Sequence, residues 1–365
     1  MNASLNRIHQ LLLQKGMAFV RYSLPESTES TTLISYHPQS FQDLNTLADT
    51  EEEGFVFAPF VADKAFPIWY YKTDDILNES TDNQNIIDYL SGLADRKKRG
   101  PVYPESTPKS EYHSAFNTYL FALNSGRLDK AILSKIVTHP KSKTSPLAIY
   151  TKLVETYPTA FVYMINLPSG ELWMGATPER LLEQDKEGIK TMALAGTQQL
   201  DYRKVKAIVW KKKEIEEQAY VKNYVLKQLN AFSDRVQVSE NYTVAAGNLA
   251  HLRTDFVVNQ DFDRAEIVKM ISLLHPTPAV CGIPLDASKA LILDTEKHHR
   301  EYYTGFLGPI NSHSLALYVN LRCMKIEQEK FALYVGGGIT RDSKLEKEWN
   351  ETEAKAQTLL SVLTF

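Results

Sequence analysis

One stretch near the C-terminal end constrains the chain more than any other. There an apolar strand pattern runs into three consecutive glycines and then into a charged helix pattern. Phe331-Ala332-Leu333-Tyr334-Val335 reads as a strand, Gly336-Gly337-Gly338-Ile339-Thr340 as the turn that ends it, and residues 343–355 as a helix. On that helix Glu348, Glu351 and Lys355 fall at i, i+3 and i+7, so all three point the same way. Just upstream, Arg322 ends a second strand-like run, Leu315-Ala316-Leu317-Tyr318-Val319-Asn320-Leu321. Carboxylates aimed at a glycine turn suit a divalent cation bridged to an anionic ligand, with Arg322 and Lys355 able to meet carboxylates of a substrate. Charged residues at this spacing also make ordinary solvated helix faces, so the cluster needs support from elsewhere.

The remaining composition narrows the classes. A chain of 365 residues, 43% hydrophobic and 23% charged, can bury a large core as one big α/β unit or two smaller ones. A net charge of -3 gives no basic surface for nucleic acid or an anionic membrane. The two cysteines, Cys281 and Cys323, form no CxxC pair, which argues against a disulfide framework or a zinc site and suits a reducing compartment. No run approaches the roughly 18 apolar residues of a membrane span, and the first residues lack a signal-peptide pattern, so a soluble cytoplasmic protein is expected.

Along the chain, Phe55-Val56-Phe57-Ala58-Pro59-Phe60-Val61 and Ile68-Trp69-Tyr70-Tyr71 read as strands, and residues 95–110 as a polar surface linker. Tyr112, Phe116, Tyr119, Leu120 and Leu123 keep helical spacing, and a strand opening at Lys130 follows the Gly126 stop. Residues 160–167 and 171–176 make a hairpin turned at Pro168-Ser169-Gly170, and residues 205–232 a second long helix. Strands predominate with helices between them, which predicts an α+β architecture. A break near residue 105 separates a motif-poor N-terminal part, 1–105, from a catalytic region, 106–365, within one unit.

Four positions outside the C-terminal cluster carry candidate chemistry. Lys130 is either a rim residue snorkelling to water or a base whose pKa falls with partial desolvation. Glu179, in Thr177-Pro178-Glu179, either favours the start of a helix or serves as a general acid at a strand's end. Glu217 heads the inward stripe Glu217, Val221, Tyr224, Val225, while Glu216 points about 100° away. A carboxylate on an apolar stripe is costly unless paired or metal-bound, which makes Glu217 the better ligand. His275, in the proline-rich loop His275-Pro276-Thr277-Pro278-Ala279-Val280-Cys281-Gly282, is equally a structural histidine or a site residue.

Taken in order, these pieces resemble the chorismate-utilising enzyme family, which includes isochorismate, salicylate, anthranilate and aminodeoxychorismate synthases. The resemblance covers roughly residues 110 to 365. It rests on Lys130-Ala131-Ile132-Leu133-Ser134-Lys135, Gly175 to Leu182, Ala193-Leu194-Ala195-Gly196-Thr197, Lys213-Glu214-Ile215-Glu216-Glu217-Gln218 and His275 to Gly282. Arg300-Glu301-Tyr302-Tyr303-Thr304-Gly305, Leu321-Arg322-Cys323, Val335 to Ile339 and Glu348 to Lys355 complete it. It implies a fold like that of anthranilate synthase component I, two large β-sheets packed together with helices outside, and the site in a cleft beside them. It also implies a Mg²⁺ cofactor held by Glu217 and Glu351, with Glu348 touching it through water. Chorismate would be the substrate, bound by Arg322, Lys355, Gly196 and Gly336, with Thr197, His275, Ala279 and Tyr303 in the same site.

Within that family two positions select the branch. Lys130 matches the lysine that acts as base where water is the nucleophile, whereas the anthranilate branch carries glutamine. Ala195 replaces the nucleophilic lysine of aminodeoxychorismate synthases, so neither amination nor a glutamine amidotransferase subunit is expected. The wording of the His275 loop resembles isochorismate synthases more than salicylate synthases. Lys135 stands where arginine is usual and Gln218 where histidine often follows the metal glutamate; both keep hydrogen-bonding capacity. The implied protein is a monomeric isochorismate synthase with Lys130 as base and Glu179 as acid. Salicylate synthase is the alternative, as is a silent chorismate-binding subunit.

Overall fold

The computed structural model describes residues 3–50, 52–78, 83–96, 104–199, 208–246 and 249–363. Among them, two antiparallel sheets dominate, one of nine strands and one of ten. The first runs in the order Gly282–Ile283, Lys130–Pro140, Lys330–Ile339, Cys323–Ile326, Leu172–Thr177, Phe161–Asn166, Ala18–Ser23, Thr31–Ser35 and Asp75–Leu77. The second runs Gln237–Val238, Leu249–Val258, Gly188–Gln199, Arg180–Asp185, Leu315–Val319, Phe306–Ile310, Gly54–Ala58, Ile68–Lys72 and Gln39–Phe41, with Tyr242–Ala246 also paired to Leu249–Val258.

Side-chain alternation explains how the sheets face each other. In Phe161–Asn166, Phe161, Tyr163 and Ile165 point to the second sheet, while Val162 and Met164 point outward to helices. A one-residue slip in register would exchange those two sets, so burial on both faces fixes the pairing. The layer between the sheets is aromatic: Phe161 stacks on Tyr318 at 4.3 Å, and Phe57 on Tyr302 at 4.2 Å. Ala3–Lys15, Pro146–Thr156 and Leu345–Leu363 cover the first sheet's outer face; Lys212–Leu229 and Arg264–Leu274 cover the second's. This is the α+β arrangement that the resemblance implies. Residues before 105 supply three strands to each sheet, so the motif-poor part is woven into both layers.

Local readings hold where burial is strong. The first helix of the catalytic region spans Lys109–Asn124, the hairpin is Phe161–Asn166 with Leu172–Thr177, and the N-terminal strands lie as expected. Three readings need correction. The glycines Gly336 to Gly338 are not a turn; they continue the strand Lys330–Ile339, opposite Ser134, Leu133 and Ile132. The residues after Pro178 open no helix, because Arg180–Asp185 pairs with Leu315–Val319. The helix expected from residue 205 starts at Lys212, and residues 201–207 lie outside the described residues, as do 97–103 of the linker.

Candidate active site

The cleft forms where the chain crosses twice from one sheet to the other. Leu172–Thr177 lies in the first sheet and Arg180–Asp185 in the second, so Pro178 and Glu179 make one crossing. Leu315–Val319 and Cys323–Ile326 make the return, with Arg322 between them. The crossings are bonded to each other: Thr177 Oγ1 donates to Val319 O at 2.6 Å, Val319 N to Glu179 O at 2.9 Å, and Ala176 N to Arg322 O at 3.2 Å. Arg322 adopts φ of 48°, a left-handed conformation uncommon for a side-chain-bearing residue, and this turn aims it. Two connections that looked like ordinary strand ends thereby bring Glu179 and Arg322 to one place.

Three glutamates converge from two helices on the glycine strand. A Cβ on Gly338 would lie 2.8 Å from Glu217 Oε1, and one on Gly337 would lie 3.8 Å from Glu351 Oε1 and 3.9 Å from Glu348 Oε2. The glycines therefore make room for carboxylates. Each carboxylate is held by a lysine: Lys130 Nζ to Glu217 at 2.9 Å, Lys213 Nζ to Glu348 at 2.8 Å, and Lys355 Nζ to Glu351 at 2.8 Å. Lys355 Nζ also donates to Gly336 O at 2.9 Å. Lys130 is wholly buried and does not snorkel to water. Glu217 is mostly buried while Glu216 is exposed, as the stripe predicts.

These carboxylates suit a hard divalent cation in kind, since all the ligands are oxygen. Glu348 Oε2 is buried with no hydrogen-bond partner, an orphan acceptor that a cation or its water would satisfy. As they stand, however, no three ligating side chains among the described residues are grouped tightly enough to hold an ion. Burial opposes charge on Glu217, yet Lys130, Lys213 and Lys355 hold its carboxyl below the usual range. Burial raises Glu348, aided by Glu351 and opposed by Lys213.

Glu179 is 4% exposed, and burial pushes its carboxyl up to about 7 against the pull of Lys130 and Arg322. Beside Arg322 sits His251, which the sequence reading missed. Burial, with Arg322 and Lys355 nearby, lowers its pKa to about 3, so the ring is neutral. Its Nδ1–H donates to Gly196 O at 3.0 Å, and its Nε2 accepts from Arg322 Nη2 at 2.9 Å. The ring thereby ties Arg322 to the second sheet at Gly196, whose φ of 71° sits beside the irregular pairing between Ala195 and Gln198.

An open cleft results beside the glycine strand. Glu179, Gly196, Thr197, Glu217, Ala279, Tyr303, Arg322, Gly336 and Lys355 line it. Lys130, Glu348 and Glu351 lie behind that surface, joined to it through Glu217, Lys213 and Lys355. His275 does not line it. Its ring packs edge-on against Phe306 at 5.0 Å, and burial lowers it to about 4, so it is a neutral, partly buried structural histidine. Lys135 and Gln218 are structural: Lys135 pairs with Glu353 over the Trp349 ring, and Gln218 Nε2 donates to Ala193 O at 3.0 Å. A wider groove shares only Pro178 and Leu194 with the cleft, and its arginines are already paired, Arg180 with Glu183 and Arg253 with Asp255.

Comparison with known proteins gives this geometry relatives. A family model described as "Chorismate binding enzyme" matches residues 68–364. The isochorismate synthase EntC of Escherichia coli is 27% identical over 245 residues, 65% of this chain and 62% of that enzyme, so less than two thirds of its length is matched. The fold resembles that of MenF, the menaquinone-specific isochorismate synthase of Escherichia coli, with a TM-score of 0.78, 20% identity, and coverage of 100% of this chain and 92% of that one. Anthranilate synthase component I of Streptococcus pneumoniae superposes with a TM-score of 0.70 at 15% identity, covering 94% of this chain and 92% of that one.

Proposed function

Since the chain belongs to the chorismate-binding enzyme family, we propose that it is an isochorismate synthase, an isomerase that adds water at C2 of chorismate and expels the C4 hydroxyl. One observation carries the choice of chemistry. Glu179 is a carboxyl that burial holds near pH 7, in electrostatic contact with the buried amine of Lys130. An acid and a base of this kind on one small ring are what an allylic transposition of oxygen requires.

In the reaction, Lys130 takes a proton from water as its oxygen bonds to C2. Both ring double bonds shift by one position, the C4–O bond breaks, and Glu179 gives its proton to the departing hydroxyl, which leaves as water. One water enters and one leaves, so no further reactant is needed. Arg322, steadied by His251, meets one carboxylate of the dianion; Lys355 and the backbone at Gly196 and Gly336 meet the rest. Ala195 presents no amine to the cleft, in keeping with water as nucleophile. Glu217 and Glu351, with Glu348 behind them, would hold Mg²⁺, which when bound supplies Lewis-acid neutralisation of a substrate carboxylate.

The product would feed menaquinone or a catechol siderophore. We place the enzyme in the cytoplasm, acting as a monomer without an amidotransferase subunit. Two free, buried cysteines support a reducing compartment. No described helix is long and apolar enough to cross a membrane. The test is incubation with chorismate and Mg²⁺ followed by chromatography. Isochorismate is the expected product; salicylate would indicate added pyruvate elimination, and unchanged chorismate a silent binding protein.

A further inference from the structure

Lys213 has no part in the chemistry above, yet it reaches the carboxylate cluster through Glu348. It lies in the first turn of the helix Lys212–Leu229, with Glu217 one turn further along the same face. Glu348 and Glu351 are likewise one turn apart on Leu345–Leu363. Helical periodicity thus puts Lys213 and Glu217 on one face of the first helix and Glu348 and Glu351 on one face of the second, and Lys213 links the two. Lys213 Nζ is 2.8 Å from Glu348 Oε1, and Glu348 itself is 2% exposed with its other oxygen unpartnered.

Resting on the metal reading given above, we propose that Lys213 is an internal cation that stands in for the metal at Glu348, and that Mg²⁺ binds by displacing its ammonium from that carboxylate. This accounts for three acidic side chains that suit a dication in kind but are not gathered closely enough to hold one. The other two lysines are poorer candidates for release. Lys130 is fully buried, and withdrawing it would leave the Glu217 carboxylate without its buried partner. Lys355 is anchored twice, by Glu351 and by Gly336 O. Lys213 has a side chain 32% exposed and can swing its head into water while its stem stays against the helix. Without metal, the lysine keeps the carboxylates from repelling one another. With metal, its departure leaves the ligand set to the dication.

Calorimetric titration of Mg²⁺ into EDTA-stripped, substrate-free protein tests this, using wild type, Lys213→Gln and Lys213→Arg. Lys213→Gln should bind Mg²⁺ at least about tenfold more tightly, because nothing has to be displaced. Lys213→Arg keeps the charge and should bind like wild type. Melting temperatures give a second readout: metal-free Lys213→Gln should melt below wild type, and saturating Mg²⁺ should close the gap. Equal or weaker Mg²⁺ binding by Lys213→Gln overturns the displacement role while leaving the metal reading intact. Absence of Mg²⁺ binding by wild type overturns both.

Discussion

Replacing Glu179 with glutamine separates the acid assignment from every structural role of that side chain. The carboxyl rises from 4.5 to about 7 on folding, with burial as the chief cause. A raised carboxyl is protonated in the native state while the unfolded chain has already lost its proton. Stability therefore falls as pH rises through 4.5 and stops falling above about 7. At pH 8 the carboxylate costs the fold about 3 kcal/mol, with none of that cost below the unfolded value. Glu179→Gln keeps the shape and removes the ionisation. Substrate-free and metal-free, the variant should melt close to wild type at pH 4.5 and progressively above it toward pH 8. Its kcat should fall by roughly 10²–10⁴-fold. Wild-type kcat should decline on the alkaline side of about pH 7, and that decline should vanish from the residual rate of the variant. The assays are thermal melts across pH and a kcat profile on chorismate. A variant turning over at near wild-type rate would refute the acid assignment, and melts that track wild type at every pH would refute the buried ionisation.

Other expectations follow from the same geometry. Glu217→Gln should abolish turnover and EDTA should silence the wild type; full activity in EDTA would remove the metal from the account. Lys130→Gln should eliminate water addition while chorismate still binds, as measured by equilibrium titration. Because Glu217 then loses its buried partner, the variant should also lose roughly 3–5 kcal/mol of stability, read from denaturant melts. Retention of most kcat, or loss of all substrate binding, contradicts the role of Lys130. Gly338→Ala puts a methyl where Glu217 Oε1 lies 2.8 Å away, so Mg²⁺ affinity should fall about tenfold. Its melting temperature should move little, because alanine in extended backbone also removes about 0.5–1 kcal/mol of unfolded-state freedom. Unchanged Mg²⁺ affinity would show that the glycine does not shape the ligand set.

The strands and the long helices are legible in the sequence because burial writes a period of two or 3.6 into it, as in Phe161–Asn166 and Lys109–Asn124. The inward turn of Glu217 and the common face of Glu348, Glu351 and Lys355 follow from the same arithmetic. Errors arise where a non-local partner decides. The sequence pattern predicts a turn at the glycines, but they are absent side chains in a paired strand, and what they accommodate comes from the helix that follows and from the distant helix Lys212–Leu229. Thr177-Pro178-Glu179 has the local chemistry of a helix start, yet pairing of Arg180 with Tyr318 wins. His275 sits in a loop rich in site residues but turns its ring to the core. His251 is one of several polar residues in the strand Leu249–Val258, 71 positions from the arginine it meets, and no local signal marks it. Lys213 stands in a run of three lysines whose fates differ only because one faces Glu348.

The central claim is that this cleft transposes oxygen on chorismate with water as nucleophile. Mass spectrometry of the product formed in ¹⁸O-enriched water tests it most directly. The account predicts isochorismate two mass units heavier, with the label in the new C2 hydroxyl, formed only when Mg²⁺ is present. Unlabelled isochorismate, or labelled water leaving chorismate untouched, would contradict it.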